Sequence, residues 1–424
     1  MPIEQMPIEE ARRAGATQGR AEAVPPAQAR GGGGLLCQRG LFALPQGVHY
    51  LNCAYIAPLS RAVEAAGMAA LRRTRVPSRL GPADFFAAAD EARARFARLV
   101  NAPRPRRVAI VPSVSYGIAL AARNLRPRRG QNIVIAGGQF PSNVYAWRKL
   151  ARQTGCGVRA VAPPPAGGGR ARAWSDALLA AIDRDTAAVA LGSVDWSDGT
   201  RLDLEGIGTR CREMGAAYVI DGIQSVGALP FDVRRVQPDL LVCAAYKWLC
   251  GPMGIGVMYV GPRFDGGEPL EETWLGRAGS EDFCRLAEYR DDYQPGAARF
   301  DMGGRASFVL LPMLNAALRQ VLDWSPAEIQ RYCARLTVPL VAVARALGFG
   351  VDDESNRCPH LFALRVPGGM DVEDLQRRLA ARNVFVSARG NALRISPHVY
   401  NDARDVERLG TELRRIRETV SGRR

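Results

Sequence analysis

Between about residues 105 and 262, short apolar runs alternate with amphipathic stretches. The runs are Val108–Pro112, Asn132–Gly137, Val158–Pro163, Ala187–Val194, Ala217–Asp221, Leu240–Ala245 and Gly256–Val260. Their shortness and mostly apolar character predict strands of a sheet covered on both faces. The segments between them, around Gly117–Asn124, Ser142–Gly155, Ser175–Asp183 and Asp203–Gly215, carry a helical pattern. This β-α-β-α order implies an α/β fold, a mostly parallel sheet with helices on both faces. Ligands of such sheets bind beyond the carboxyl ends of the strands, so residues at those ends are the first candidates for chemistry.

After about residue 300 the pattern changes. A long helical stretch over roughly 307–347 precedes a strand-like run at His360–Val366, a helix at Asp371–Asn383, strand-like runs at Val384–Ser387 and Ala392–Ser396, and a terminal helix. That is the outline of a smaller α+β C-terminal domain, and 424 residues exceed what one ordinary core organises. The expected organisation is a disordered tail over 1–34, an N-terminal segment at the active site over 35–60, a large domain over 61–298 and a small domain over 299–424. The tail expectation rests on Ala, Gly, Arg and Pro richness, ending in four consecutive glycines, Gly31 to Gly34.

A net charge of +15 raises the question of nucleic acid. The cations argue against it, because they are spread along the whole chain, often between alanines, as solvated helix faces are. Nine cysteines, an odd number with no C-x-x-C pair, read as free thiols in a reducing compartment. Three histidines without ligand spacing give no reason to expect a metal. The apolar runs are too short to span a bilayer, and no charged-then-apolar leader is visible, so a cytoplasmic protein with neither membrane nor nucleic-acid partners is expected.

Lysine and arginine together number 57, yet lysine occurs only as Lys149 and Lys247. Where arginine serves nearly every cationic position, a retained lysine points to a task that needs a primary amine, such as a Schiff base. Lys247 follows the apolar run and stands at a strand's carboxyl end, though a lysine snorkelling at a sheet edge fits the same position. Asp221 ends the run Ala217–Asp221. A carboxylate there suits the ring nitrogen of pyridoxal phosphate, and equally a turn before Gly222. Gln224 stands ready to donate to the cofactor's ring hydroxyl.

The stretch Val219-Ile-Asp-Gly-Ile-Gln-Ser-Val-Gly-Ala-Leu-Pro, continued by Ala244-Ala-Tyr-Lys-Trp-Leu-Cys-Gly-Pro, resembles the cofactor core of class V aminotransferases. That family includes cysteine desulfurases, kynureninases and isopenicillin N epimerase-like proteins. The resemblance spans about residues 48–415 and implies pyridoxal 5'-phosphate as cofactor, with Lys247 as its Schiff-base anchor. It implies a phosphate loop at Pro112-Ser-Val-Ser-Tyr-Gly, with Val114 and Ser115 holding the phosphate; free amides at a helix start suit that role, as does an ordinary serine cap. It implies Phe140 stacked on the ring where many relatives carry histidine, so that proton transfer falls on Lys247. Trp196 or Ser197 would stand in for a missing asparagine, and Tyr246 would contact the phosphate. Arg305 and Ser307 would reach the partner subunit's phosphate in a homodimer with shared active sites, an exposed turn arginine being the alternative. Asn52 and Arg394 would face an amino-acid substrate, Arg394 through its carboxylate.

The reaction expected from this resemblance is transamination of an amino acid, with C–S lyase, desulfurase-like or epimerase chemistry as the alternative, and a non-catalytic cofactor-binding protein less favoured. Desulfurases need a cysteine ahead of the carboxylate arginine, and Ser387-Ala-Arg-Gly-Asn-Ala has none.

Overall fold

The computed structural model describes residues 30–31 and 34–421. Most of the expected tail over 1–34 lies outside the described residues; within it, Arg30–Gly31 pairs antiparallel with Gly34–Leu35.

Among the described residues, seven strands form the main sheet: β1 (Val108–Val111), β2 (Asn132–Ala136), β3 (Gly157–Val161), β4 (Thr186–Gly192), β5 (Ala217–Asp221), β6 (Leu240–Ala244) and β7 (Gly256–Val260). Their order is β1-β7-β6-β5-β4-β2-β3. Neighbours from β6 through β3 are parallel, while β7 runs antiparallel between β1 and β6. Successive strand residues face opposite sides, and the core divides accordingly. Val134, Val189, Ile220, Leu241 and Val257 feed one apolar cluster, whereas Ile133, Ala188, Val219, Val242 and Met258 feed another.

The α-helices longer than one turn are α1 (Arg61–Thr74), α2 (Asp84–Leu99), α3 (Val114–Arg123), α4 (Tyr145–Thr154), α5 (Arg170–Ala181), α6 (Leu204–Met214), α7 (Leu310–Trp324), α8 (Pro326–Ala346), α9 (Val372–Ala380) and α10 (Ala403–Ser421). The single helical stretch expected over 307–347 is two helices. Ser325 takes a φ of 65°, and Pro326 opens α8. Proline lacks the N–H that would continue α7 and disfavours helical geometry in the residue before it, so the chain breaks there. Helix α1 packs on α7 so closely that a Cβ on Gly67 would sit 2.8 Å from the Met313 sulfur.

The C-terminal part forms its own sheet from β8 (Phe362–Arg365), β9 (Ser387–Arg389) and β10 (Ala392–Ile395), in the order β8-β10-β9 and antiparallel throughout. A third apolar cluster, with Leu340, Phe362, Leu375, Leu393 and Leu409, holds it against α8, α9 and α10. The N-terminal segment is sewn to this part. His49–Tyr50 pairs in parallel with Val384–Phe385, and Asn52 bridges to Ser396. These contacts bring residues 49–57 and strand β10 up to the carboxyl ends of β4, β5 and β6.

Candidate active site

A cleft at those strand ends is lined by Phe140, Asn143, Trp196, Asp221, Gln224 and Lys247. Asp221 closes β5. Its Oδ1 accepts from the Ile223 amide at 3.0 Å, while no described group donates to Oδ2. Burial pushes its carboxyl up to about 6, against the pull of that hydrogen bond and of Lys247. Lys247 follows β6, and only 7% of it is exposed. Burial lowers its ammonium to about 8; Asp221 opposes the shift and Arg394 adds to it. An amine in that range is in part a free base near neutrality, which carbonyl addition requires. Its Nζ lies 5.8 Å from the Phe140 ring centroid and 5.7 Å from that of Tyr246.

Gln224 is held from both ends of its amide. Oε1 accepts from the Trp248 indole at 3.0 Å, and Nε2 donates to the Ala54 carbonyl at 3.2 Å. Tyr246 is half-buried, and its carbonyl accepts from the Ala57 amide at 2.9 Å. The loop over 193–200 supplies the opposite wall. Trp196 lines the cleft, meets Phe140 edge-on at 5.5 Å and donates its indole N–H to the Gly138 carbonyl at 2.9 Å. The Ser197 hydroxyl is taken up by Asp195 Oδ1 instead. Of the two stand-ins for the missing asparagine, Trp196 is therefore the one that faces the cleft.

Helix α3 begins at Val114, capped by the Ser113 hydroxyl, which accepts from the Tyr116 amide at 3.2 Å. The Val114 and Ser115 amides belong to the first turn and have no helical acceptor, and the Ser115 side chain is exposed. The cap is therefore Ser113 and not Ser115, whose amide and hydroxyl are left uncommitted at the helix start.

Arg394 on β10 is 1% exposed, and its Nη1 donates to the Trp196 carbonyl at 2.8 Å. Burial, with Arg389 adding to it and Asp195 opposing, brings it down to about 9. Asn52 is also buried, but its Oδ1 accepts from the Ser387 hydroxyl at 2.7 Å rather than lining the cleft. Arg305 and Ser307 stand apart as well. Arg305 is 3% exposed, paired with Asp301 and 5.0 Å over the Phe86 ring. Asp301 also binds Arg93 and accepts from the Ile110 amide at 2.8 Å. Arg305 is therefore neither an exposed turn residue nor a free guanidinium within this subunit. The Ser307 hydroxyl accepts from the Leu310 amide at 3.1 Å, at the start of α7.

Two cleft residues, Asn143 and Asp195, and one neighbour of Trp196, Arg389, went unforeseen. Asn143 is 1% exposed and takes the Trp147 indole at 3.0 Å on its Oδ1, fixing the segment that carries Phe140. Asp195 accepts from the Ser197 and Asp198 amides at 2.9 and 3.2 Å, and its carboxyl rises to about 6 through burial and the neighbouring Asp198. Arg389 on β9 lies 5.5 Å over the Trp196 ring. One signal for Arg389 was available: it stands five residues before Arg394 with a glycine turn between them, the spacing of a hairpin that brings both to one face.

A family model, Aminotransferase class-V, matches residues 79–409. The chain belongs to the class-V aminotransferase family. It is 25% identical over 332 residues to isopenicillin N epimerase of Streptomyces clavuligerus, covering 76% of this chain and 83% of the relative. It is also 25% identical over 346 residues to a probable cysteine desulfurase of Methanothermobacter thermautotrophicus, covering 77% and 83%. Among solved structures, the fold matches the cysteine desulfurase CsdA of Escherichia coli with a TM-score of 0.74 at 21% identity, over 90% of this chain and 98% of that one. It matches a C-DES mutant with glycine covalently linked to the PLP cofactor with a TM-score of 0.78 at 18% identity, over 88% and 98%. The expected α/β class and cofactor thus stand: this class-V protein is a pyridoxal-phosphate-dependent enzyme of the transferase or lyase kind, acting on small amino-acid substrates. No helix among the described residues is long and apolar enough to cross a membrane.

Proposed function

We propose that this protein is an aminotransferase in which Lys247 anchors pyridoxal 5'-phosphate and serves as the proton carrier at the substrate Cα. The observation that carries the reading is the pairing, in one cleft, of a buried amine lowered to about 8 with a buried carboxyl raised to about 6. Groups with such opposed shifts at strand ends are those that acid–base chemistry uses. When bound, the cofactor supplies an electron sink that stabilises negative charge at Cα.

The chain's own residues then divide the work. Asp221 Oδ2 is free to accept a proton-bearing ring nitrogen, and the buried site strengthens that contact. The Val114 and Ser115 amides, with the Ser115 hydroxyl, would hold the phosphate at the positive end of α3. Tyr246, whose ring lies 5.7 Å from Lys247 Nζ, would contact the phosphate. Phe140 and Trp196 wall the ring position and exclude water. Phe140 carries no titratable group, so proton transfer would fall on Lys247 Nζ. Gln224, oriented by Trp248 and Ala54, has one N–H left for the ring hydroxyl. Arg394 offers its remaining donors to the substrate carboxylate, and Asn52 supports the strand that bears it.

A homodimer belongs to the same proposal. Exposed Tyr55, Ile56 and Leu59 follow the Asn52 segment and form an apolar edge beside the cleft that a second subunit would cover. Light scattering tests this directly, with a dimer mass expected. With Arg305 committed to Asp301, a contact from Arg305 to the partner's phosphate would require that pair to open.

Lyase chemistry is the second reading, and persulfide-forming desulfuration the less favoured form of it. Cys358 is 1% exposed, and burial pushes its thiol up to about 12, which leaves little thiolate. Offering the loaded protein a panel of L-amino acids separates the readings. Transamination converts the cofactor to its amine form and releases a keto acid, whereas lyase action releases pyruvate and ammonia with the cofactor unchanged.

A further inference from the structure

Strands β9 and β10 form an antiparallel pair in which Ser387 faces Arg394 and Arg389 faces Ala392. Side chains alternate along a strand, so residues 387, 389, 392 and 394 share one side of this small sheet. Leu393, on the other side, packs into the C-terminal core. The two arginines therefore project together, and what they meet is Trp196. The Arg389 guanidinium lies 5.5 Å over its ring, and Arg394 donates to its carbonyl at 2.8 Å.

Neither guanidinium forms an ion pair among the described residues. Arg389 donates only to the Ala388 carbonyl, at 2.6 Å, and its Nε is buried without a partner, as is that of Arg394. Arg93 and Arg305, by contrast, share the carboxylate of Asp301. Two neighbouring cations beside a third, Lys247, are costly to hold together unless anions arrive to join them. Asp221 is committed to the cofactor ring, and the phosphate belongs at the start of α3. Asp195 has its Oδ1 filled by three donors from its own turn. A substrate α-carboxylate matches Arg394 and leaves Arg389 unanswered.

We propose that the substrate is an amino acid with a second acidic group on its side chain, and that Arg389 binds that group while Arg394 takes the α-carboxylate. The proposal rests on the reading of this cleft as an amino-acid site. A planar guanidinium backed by an indole is suited to a second carboxylate, since the ring fixes its plane and leaves its outer edge for paired donors. Neutral amino acids would enter with Arg389 facing no counter-charge, so the site discriminates by charge at the far end of the substrate.

Equilibrium binding of two unreactive probes tests this without relying on turnover. Glutarate and butyrate are titrated calorimetrically into the cofactor-loaded protein, into Arg389→Gln and into Arg389→Lys. Glutarate is expected to bind the native protein at least about tenfold more tightly, as one added charge-assisted hydrogen bond implies. In Arg389→Gln the two probes should come within about twofold of each other, while Arg389→Lys keeps part of the preference. Equal binding by the native protein, or a full preference surviving in Arg389→Gln, overturns the proposal; the native comparison decides even if a variant fails to fold. Borohydride reduction of the same samples separates this from the parent reading. A cofactor adduct at Lys247 without a glutarate preference removes only the second-acid assignment, whereas no adduct removes the amino-acid site and this proposal with it.

Discussion

Arg394 and Trp196 are joined by a hydrogen bond of 2.8 Å from Nη1 to the Trp196 main-chain oxygen, across 198 residues of sequence. It ties a strand of the C-terminal sheet to the loop that walls the cleft, and it aims a buried guanidinium whose remaining donors are not used by a carboxylate. The bond gives Arg394 a fixed plane before any substrate arrives, so little conformational freedom is lost on binding. Replacing Arg394 by lysine removes both the plane and the paired donors. The expected result is a KM for the amino acid raised by about ten- to a hundredfold, in line with ~1.5–3 kcal/mol for a charge-assisted hydrogen bond. Steady-state kinetics check this, with an unaltered cofactor spectrum showing that the site still loads.

Asp195 holds the same loop from inside. Its Oδ1 gathers the Ser197 amide, the Ser197 hydroxyl and the Asp198 amide. Asp195→Ala releases that turn and with it the Trp196 carbonyl, so KM should rise by roughly tenfold, within the ~1–3 kcal/mol cost of buried groups left unpaired. Asp195→Asn keeps the accepting oxygen and should lie between that variant and the native protein. Equal effects of the two substitutions would contradict a positioning role.

Lys247 is lowered to about 8, with burial as the main cause and Asp221 acting in the opposite sense. The free-base fraction therefore grows with pH and reaches half at about 8, where an ordinary lysine would reach half near 10.4. Cofactor capture by the apoprotein, followed by absorbance against pH, should show that midpoint. Asp221→Asn removes the carboxylate that helps retain the proton, so its midpoint should move lower still. A midpoint unmoved, or moved upward, would contradict the pairing.

His398 is fully buried, neither ring nitrogen has a partner among the described residues, and the ring stacks on Tyr400 at 5.8 Å. Burial, with His360 adding to it, lowers its pKa to about 3. Below the unfolded value of about 6.5 the unfolded chain takes up a proton that the folded chain excludes. Stability is therefore present above that pH and lost as pH falls toward the folded value, by roughly 2 kcal/mol at pH 5. His398→Phe fills the same space without the titration. Its unfolding free energy should match the native protein's at pH 7 and exceed it at pH 5.

Much of the large sheet was legible because its strands, the exposed edge strand β3 apart, are buried on both faces, so that apolar runs mark them to within about two residues. The break at Ser325 was missed although Pro326 signals it, because the apolar period runs on through both helices. Lys247 and Asp221 stood out as chemistry at strand ends. What local pattern could not reveal is pairing across the fold. Arg305 was read as a phosphate contact or an exposed turn residue, and it is buried against Asp301, which also holds Arg93 from a helix some 200 residues earlier. Asp195, Asn143 and Arg389 look like ordinary polar residues until the loop, the α4 segment and the β9–β10 hairpin meet around one cleft.

The central claim is that Lys247 carries the cofactor, and the chain's two lysines make it simple to test. The protein loaded with pyridoxal phosphate is reduced with borohydride, digested and read by mass spectrometry. A phosphopyridoxyl group on the peptide containing Lys247, absent from Lys149 and lost in Lys247→Ala, is the predicted result. Modification at Lys149, or an adduct that persists in Lys247→Ala, would contradict it.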